Sequence, residues 1–352
     1  MLKMHGGDIY RNKINMDYSV NINPYGIPKS VMEAMQEALN NVQRYPDIRC
    51  EELINMLTEK FSCENGQIVC GNGASELIMA VCHAIRPRRA VLYAPGFSGY
   101  RYALKTVDCG IINCYDYRQM EETIAGEKPD IVFITNPNNP TGQLISPDTV
   151  KKIKKACAAA GSTLLIDECF IELTGRPDEY SSVQDIKQQD EENNVIILRA
   201  FTKSFAIPGV RIGYALFSSK ALAEKVRSNI PEWNVSVIAQ SAAKACLTET
   251  EFVKRSAKLI AKERKFLSDG LIKNKYNVFS SDANFILFED VSETAGKGFT
   301  GGDRRLYDRM IDKGILIRDC SDYEGLVPGY YRIAVKTHEE NITLLNQLLS
   351  LE

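Results

Sequence analysis

Short apolar runs bounded by turn-forming residues recur along the chain. AVLYA (90–94), DIVFITN (130–136), STLLIDE (162–168), NVIILRA (194–200) and RIGYALF (211–217) each have the length and β-branched content of a strand buried on both faces. Between some of them lie segments with apolar residues at helical spacing. One is SPDTVKKIKKACAAAG, opened by a Ser cap and a Pro and closed by a Gly. Alternation of this kind over residues 66–217 predicts βαβ units and a mostly parallel sheet flanked by helices, an α/β fold. After about residue 219 the pattern changes. The long helical stretches SVIAQSAAKACL and FVKRSAKLIAKERKFLSDGLIK lead into a smaller α+β set. That set comprises NFILFE, the helix DRRLYDRMIDKG, ILIRD, YYRIAV and the terminal helix EENITLLNQLLSLE. The first 45 residues carry no core of their own and are expected to dock on this second lobe or reach a partner subunit. The expected organisation is a large domain over 46–250 and a smaller one built from 1–45 and 251–352.

Composition narrows the function classes. The 352 residues are 44% hydrophobic and 25% charged, enough for a large core, and the net charge of -2 gives no general attraction to nucleic acid or to anionic membranes. Ten cysteines are scattered, mostly in apolar runs, without a C-x-x-C, and only three histidines are present. They read as reduced thiols of a cytoplasmic protein, with no metal site. MLKMHGGDIYRNK lacks an apolar signal core, and no window of about 20 apolar residues exists to span a membrane. SETAGKGFTGGD (292–303) reads as one mobile loop.

Ligands of open α/β sheets sit beyond the carboxyl ends of the strands, so the residues that follow the runs are the candidates. Lys203 lies between NVIILRA and RIGYALF, with Thr202 before it, Gly209 in the return and Arg211 after it. It is either a surface lysine just past a strand or an amine in a desolvated crevice. In the crevice its pKa is lowered, which suits a Schiff-base former or a proton shuttle. Hydroxyl, guanidinium and amine around one turn suit a phosphate beside an aldehyde. GNGASE provides a second anion cradle, with glycines ending a strand and a helix starting near Ala74 and Ser75. Asp167, closing TLLID, is either held structurally or paired with a cationic nitrogen. Asn139 in TNPNNPTG belongs either to a plain turn or to a donor set for an acidic oxygen. Phe97 in YAPGFSGY either packs in the core or stacks on a flat ring.

Taken in order, GNGASE, APGFSGY, PNNPTG, LIDECFIEL and LRAFTKSFAIPGVRIGY resemble the signature set of fold-type I pyridoxal phosphate (PLP) enzymes of the aminotransferase class I/II family. The resemblance implies that Lys203 carries the covalent link to the cofactor aldehyde and later moves the proton. It implies that Asp167 pairs with the pyridine nitrogen, Asn139 bonds the ring oxygen and Phe97 stacks on the ring. Ala74, Ser75, Thr202 and Arg211 would hold the phosphate. Tyr45 in QRYPD resembles the tyrosine that reaches the cofactor phosphate of the neighbouring subunit, which implies a homodimer with shared sites. Arg332 in YYRIAV resembles the arginine that clamps the substrate carboxylate.

Two branches of the family compete, histidinol-phosphate aminotransferases and L-threonine-O-3-phosphate decarboxylases. MHGGDIY, the VNINPYGIP turn with Gly26, and GILIRDCSDYEGLVPGYYRIAV resemble the second. Phe170 stands where the aminotransferase branch carries a tyrosine, and phenylalanine cannot hydrogen bond. The decarboxylase resemblance implies a phosphate-bearing amino acid as substrate and a place in cobamide side-arm synthesis. The two reactions differ in which bond at Cα stands perpendicular to the cofactor ring, carboxylate or hydrogen, and Arg332 with Arg318 would set that choice. His5 with Arg318 forms a candidate site for the distal phosphate, unless His5 belongs to a frayed terminus. Two other classes compete less well. A dinucleotide-binding oxidoreductase needs a third glycine where Glu76 stands and leaves Lys203 unexplained. A PLP-binding regulator needs a DNA-binding module that the residues before 45 do not resemble.

Overall fold

The structure is a computed structural model and describes residues 6–187, 194–295 and 305–350. Met16–Asp17 forms β1, and the large sheet follows: β2 (Ile68–Gly71), β3 (Arg89–Tyr93), β4 (Gly110–Cys114), β5 (Ile131–Thr135), β6 (Thr163–Asp167), β7 (Val195–Ala200) and β8 (Gly213–Phe217). Their spatial order is β2-β8-β7-β6-β5-β3-β4. Only β8 runs against its neighbours; β3 to β7 pair in parallel. The apolar runs are continuous because both faces are covered. Val132, Ile134, Leu164, Ile166, Val195 and Ile197 point into one core. Ile131, Phe133, Leu165, Ile196 and Leu198 point into the other.

Helix Pro147–Ala160 forms as its sequence predicts. The Ser146 hydroxyl accepts the Thr149 N–H at 3.2 Å, Pro147 occupies the first turn, and Gly161 ends the helix at φ 69°. β4 was not among the predicted runs. It is an edge strand whose residues are mostly half-buried, so its apolar signal is weak.

The smaller sheet contains β9 (Asn277–Val278), β10 (Phe285–Glu289), β12 (Arg318–Asp319) and β13 (Tyr330–Ala334), in the order β12-β13-β10-β9. β11 (Ile315–Leu316) pairs instead with β1, so ILIRD, expected as one strand, switches partners at Ile317. Tyr18 continues this docking: its N–H reaches the Leu316 carbonyl at 2.7 Å, and its ring is fully buried in the core of the smaller lobe. Helix Lys29–Ala38 packs on helix Val237–Thr248, beside the large sheet. The long helix Thr250–Lys273 links the lobes, touching residues 171–174 and helix His338–Leu349.

The expected loop over 292–303 is helical at its start, Val291–Thr294, where the Asp290 carboxylate caps the Ser292 N–H at 3.0 Å; residues 296–304 lie outside the described residues. All ten cysteines are free, and eight are buried. No helix among the described residues is long and apolar enough to cross a membrane.

Candidate active site

The strand ends of the large sheet converge on one crevice. Because β8 is antiparallel, its first residues lie beside the last residues of β2 and β7, with Gly213 opposite both Gly71 and Ala200. A Cβ on Gly213 would come within 3.0 Å of the Ala74 N. The bare backbone therefore lets helix Ala74–Ile85 start against the sheet with its N–H groups facing the crevice. Gly73 precedes that helix at φ 80°, and a Cβ there would lie 2.4 Å from Arg211 Nη2. Arg211 itself has φ 59° and folds its guanidinium over Gly73. The structure thus brings Ala74, Ser75 and Arg211 to one cradle. Thr202 is buried on the short helix Phe201–Ser204 that carries Lys203.

Lys203 is half-buried, and its Nζ lies 5.9 Å from the Phe170 ring centroid. Burial, then the charges of Arg332 and Arg211, lower its amine to about 8 against the opposing pull of Cys169 and Asp167. Asn23 fixes the turn from outside. Its N–H donates to the Lys203 carbonyl at 2.9 Å, and its amide nitrogen donates to the Ser204 carbonyl and to Ser256 Oγ at 2.8 and 2.7 Å. Gly26, at φ 74°, closes this N-terminal turn by donating to the Asn23 carbonyl.

Asp167 ends β6 and is buried. One oxygen accepts the Tyr100 hydroxyl at 2.7 Å, the other the Cys169 N–H at 2.9 Å, and Tyr100 also bonds Thr135 Oγ1 at 2.9 Å. Burial raises this carboxyl above the usual range, opposed by its hydrogen bonds and by Lys203. A buried carboxylate fixed on both oxygens and held near a cation is suited to a cationic ring nitrogen. Phe97 packs edge-on to Tyr100 at 5.5 Å, and Gly99 leaves room for its ring: a Cβ there would meet it at 2.3 Å.

The three amides of TNPNNPTG divide their work. Asn136 accepts the Ile145 N–H and donates to the Tyr180 carbonyl, while Asn138 donates to Pro95 O and Thr141 Oγ1; both hold the turn. Asn139 faces the site. Its Oδ1 accepts from Arg332 Nη1 and, at 3.3 Å, from the Tyr323 hydroxyl, which leaves its amide nitrogen as the donor toward an acidic oxygen. Arg332 is buried on β13, with Nη2 on the Ser19 carbonyl at 2.8 Å and an Nε that has no partner among the described residues. Arg318 stands directly opposite on β12 and pairs with Asp322 at 2.7 Å.

One sequence candidate, His5, lies outside the described residues, and another is not brought into this group. Tyr45 is 80% exposed, and its ring packs on Trp233 with centroids 4.9 Å apart. Asn23, Tyr100, Thr135, Cys169 and Tyr323 were missed. All five lie inside the stretches named above, but nothing there marks their partners, which for Asn23 and Tyr100 include groups 35 to 233 residues away.

These features define a site for a phosphorylated, aldehyde-bearing ring: a depressed amine, a buried carboxylate and an anion cradle at a helix start. Residues 13–348 match the family model for aminotransferase class I and II, and the chain belongs to that family. Threonine-phosphate decarboxylase of Salmonella typhimurium is 31% identical over 341 residues, spanning 95% of this chain and 90% of that protein. The crystal structure of the histidinol-phosphate aminotransferase from Clostridium acetobutylicum is 33% identical with a TM-score of 0.85, covering 96% of this chain and 98% of that one. The histidinol-phosphate aminotransferase of Sinorhizobium meliloti, solved in complex with pyridoxal-5'-phosphate, shares the fold at a TM-score of 0.84 and 22% identity, covering 96% and 92%. Pyridoxal 5'-phosphate is the cofactor that the family and these residues fit.

Proposed function

We propose that the chain is a PLP-dependent decarboxylase of an amino acid bearing a second acidic group, with threonine O-3-phosphate as its substrate. The observation that carries this reading is the pair Arg318 and Arg332, two buried arginines at opposed positions of β12 and β13 that both touch Tyr323, Arg332 resting on Asn139 and Arg318 on Asp322. Asp322 offsets one of the two positive charges, and the pair still leaves guanidinium N–H groups for two anionic groups of a ligand. The relationship to threonine-phosphate decarboxylase over nearly the full chain supports it. The product, an aminopropanol phosphate, would supply the side arm of a cobamide.

When bound, the cofactor supplies an electron sink for the bond broken at the substrate Cα. Lys203 is the residue that would hold it and would move the proton at Cα, and its lowered amine pKa suits both tasks. Asp167 would pair with the ring nitrogen, Asn139 would donate to the ring oxygen and Phe97 would pack on the ring. Ala74, Ser75, Thr202 and Arg211 would hold the phosphate. Arg332 grips the α-carboxylate, and Arg318, with His5 and the turn at Gly26, takes the distal group. Phe170 leaves an apolar wall beside the amine, without the hydroxyl of the aminotransferase branch.

The chain acts as a cytoplasmic homodimer in this reading. Leu39, Val42, Tyr45, Ile48 and Trp233 are all exposed, an apolar group that suits a subunit contact, and Tyr45 of the partner subunit would complete the phosphate site. Free, buried thiols suit a reducing compartment.

A second reading, transamination of a similar substrate, is favoured by the 33% identity to a histidinol-phosphate aminotransferase. One assay separates them. The holoenzyme is given threonine phosphate while carbon dioxide and 2-oxoglutarate-dependent glutamate are followed together. Carbon dioxide without glutamate is expected; glutamate without carbon dioxide would overturn the decarboxylase reading.

A further inference from the structure

The loop joining β12 to β13 makes a separate contact with each of several consecutive residues, and only some of these contacts reach the site. Asp322 pairs with Arg318, and Glu324 with Arg101 at 3.2 Å; Gly325 lies so close to Tyr115 that a Cβ would meet its ring at 2.8 Å. Tyr323, between them, is the buried member. Its hydroxyl donates to Asn139 Oδ1 and accepts from Arg332 Nη1, both at 3.3 Å. Its ring lies 5.2 Å from the Arg318 guanidinium carbon. One side chain therefore touches the amide and both cations.

The charges make this placement consequential. Side chains opposed across an antiparallel pair stand about 5 Å apart at Cβ, and like charges there repel. Tyr323 offers one cation its ring face and the other its hydroxyl oxygen, two different kinds of stabilisation. It also fixes which edge of Arg332 meets a ligand. Nη1 is held by Asn139 and Tyr323, and Nη2 by Ser19, which fixes the plane of the guanidinium and leaves the second N–H of each Nη for a carboxylate.

We propose that Tyr323 is a positioning residue that sorts the two anionic groups of the substrate, fixing Arg332 for the carboxylate and keeping Arg318 apart for the second anion. This rests on the reading of the site as one for an amino acid with two acidic groups. Without the hydroxyl, Arg332 loses an acceptor and Asn139 a donor. The carboxylate is then held less firmly in the orientation that favours its departure, and proton transfer at Cα competes better.

The test uses PLP-loaded wild type, Tyr323→Phe and Glu324→Gln, the last breaking only the tie to Arg101. Tyr323→Phe is expected to keep the visible absorbance of bound cofactor, raise KM for threonine phosphate about tenfold and lower the share of turnovers releasing carbon dioxide about threefold. Glu324→Gln is expected to leave KM and the product ratio within about twofold of wild type. Unchanged KM and product ratio in Tyr323→Phe would overturn the proposal. The same holds if Glu324→Gln reproduces the whole effect, since loop order rather than the phenol would then be responsible. If wild type releases no carbon dioxide, the decarboxylase reading falls, while the KM ratio for the reaction that does occur still decides the role of Tyr323.

Discussion

Lys203 stands between opposing influences: burial and two guanidinium groups push its proton off, while Asp167 and Cys169 hold it on. The balance favours release, from an ordinary 10.5 down to about 8. An amine attacks an aldehyde only when neutral, and the neutral fraction rises as pH passes upward through the folded value. The rate at which the apoprotein takes up pyridoxal phosphate is therefore expected to climb with pH around a midpoint near 8, and Arg332→Gln to move that midpoint upward. Stopped-flow absorbance across pH 6 to 10 reads both; a wild-type midpoint near 10 would contradict the electrostatics. At this scale the sequence offers candidates where a strand end carries its own chemistry, as with Lys203, Asp167 and Asn139. It was silent about groups that act through another residue. Tyr100 meets Asp167 across 67 positions and Tyr323 meets Asn139 across 184, and no local pattern encodes such a meeting.

Glycines shape the site at the scale of elements. Gly71 and Gly213 sit opposite each other in adjacent strands, and Gly73 turns the chain into the helix that follows. Replacing Gly73 by Ala both strains a backbone at φ 80° and drives a methyl into Arg211. The variant is expected to bind pyridoxal phosphate about tenfold more weakly, with a stability loss of about 1 kcal/mol. Binding of pyridoxal, which lacks the phosphate, should barely change. Equilibrium dialysis with the two ligands checks this, and equal weakening of both would place the damage elsewhere. Elements were legible where burial is two-sided, as in β5, β6 and β7, and faded where it is not. β4 is an edge strand, and ILIRD divides because Ile317 is the point at which the chain changes its pairing partner.

The exposed apolar residues around Tyr45 matter most for the whole molecule. If each site borrows Tyr45 from the partner subunit, two crippled chains can rescue one another. Lys203→Ala and Tyr45→Ala, each nearly inactive alone, are expected on mixing and re-equilibration to recover about a quarter of wild-type activity, from the one intact site in each mixed dimer. Absence of recovery, with mixed dimers confirmed by mass, would remove the shared site. The second, smaller sheet was readable from the apolar runs after residue 219; how it packs against the rest was not, because that depends on contacts between distant segments.

One such contact joins Ser19 to Arg332, whose guanidinium rests on a carbonyl 313 positions upstream. Synthesis delivers the carbonyl 313 residues before the arginine that it steadies. A chain released early, even one with its lysine in place, would have no grip for an amino acid. Loss of the final segment should therefore yield inert product rather than an enzyme that attacks the wrong metabolite.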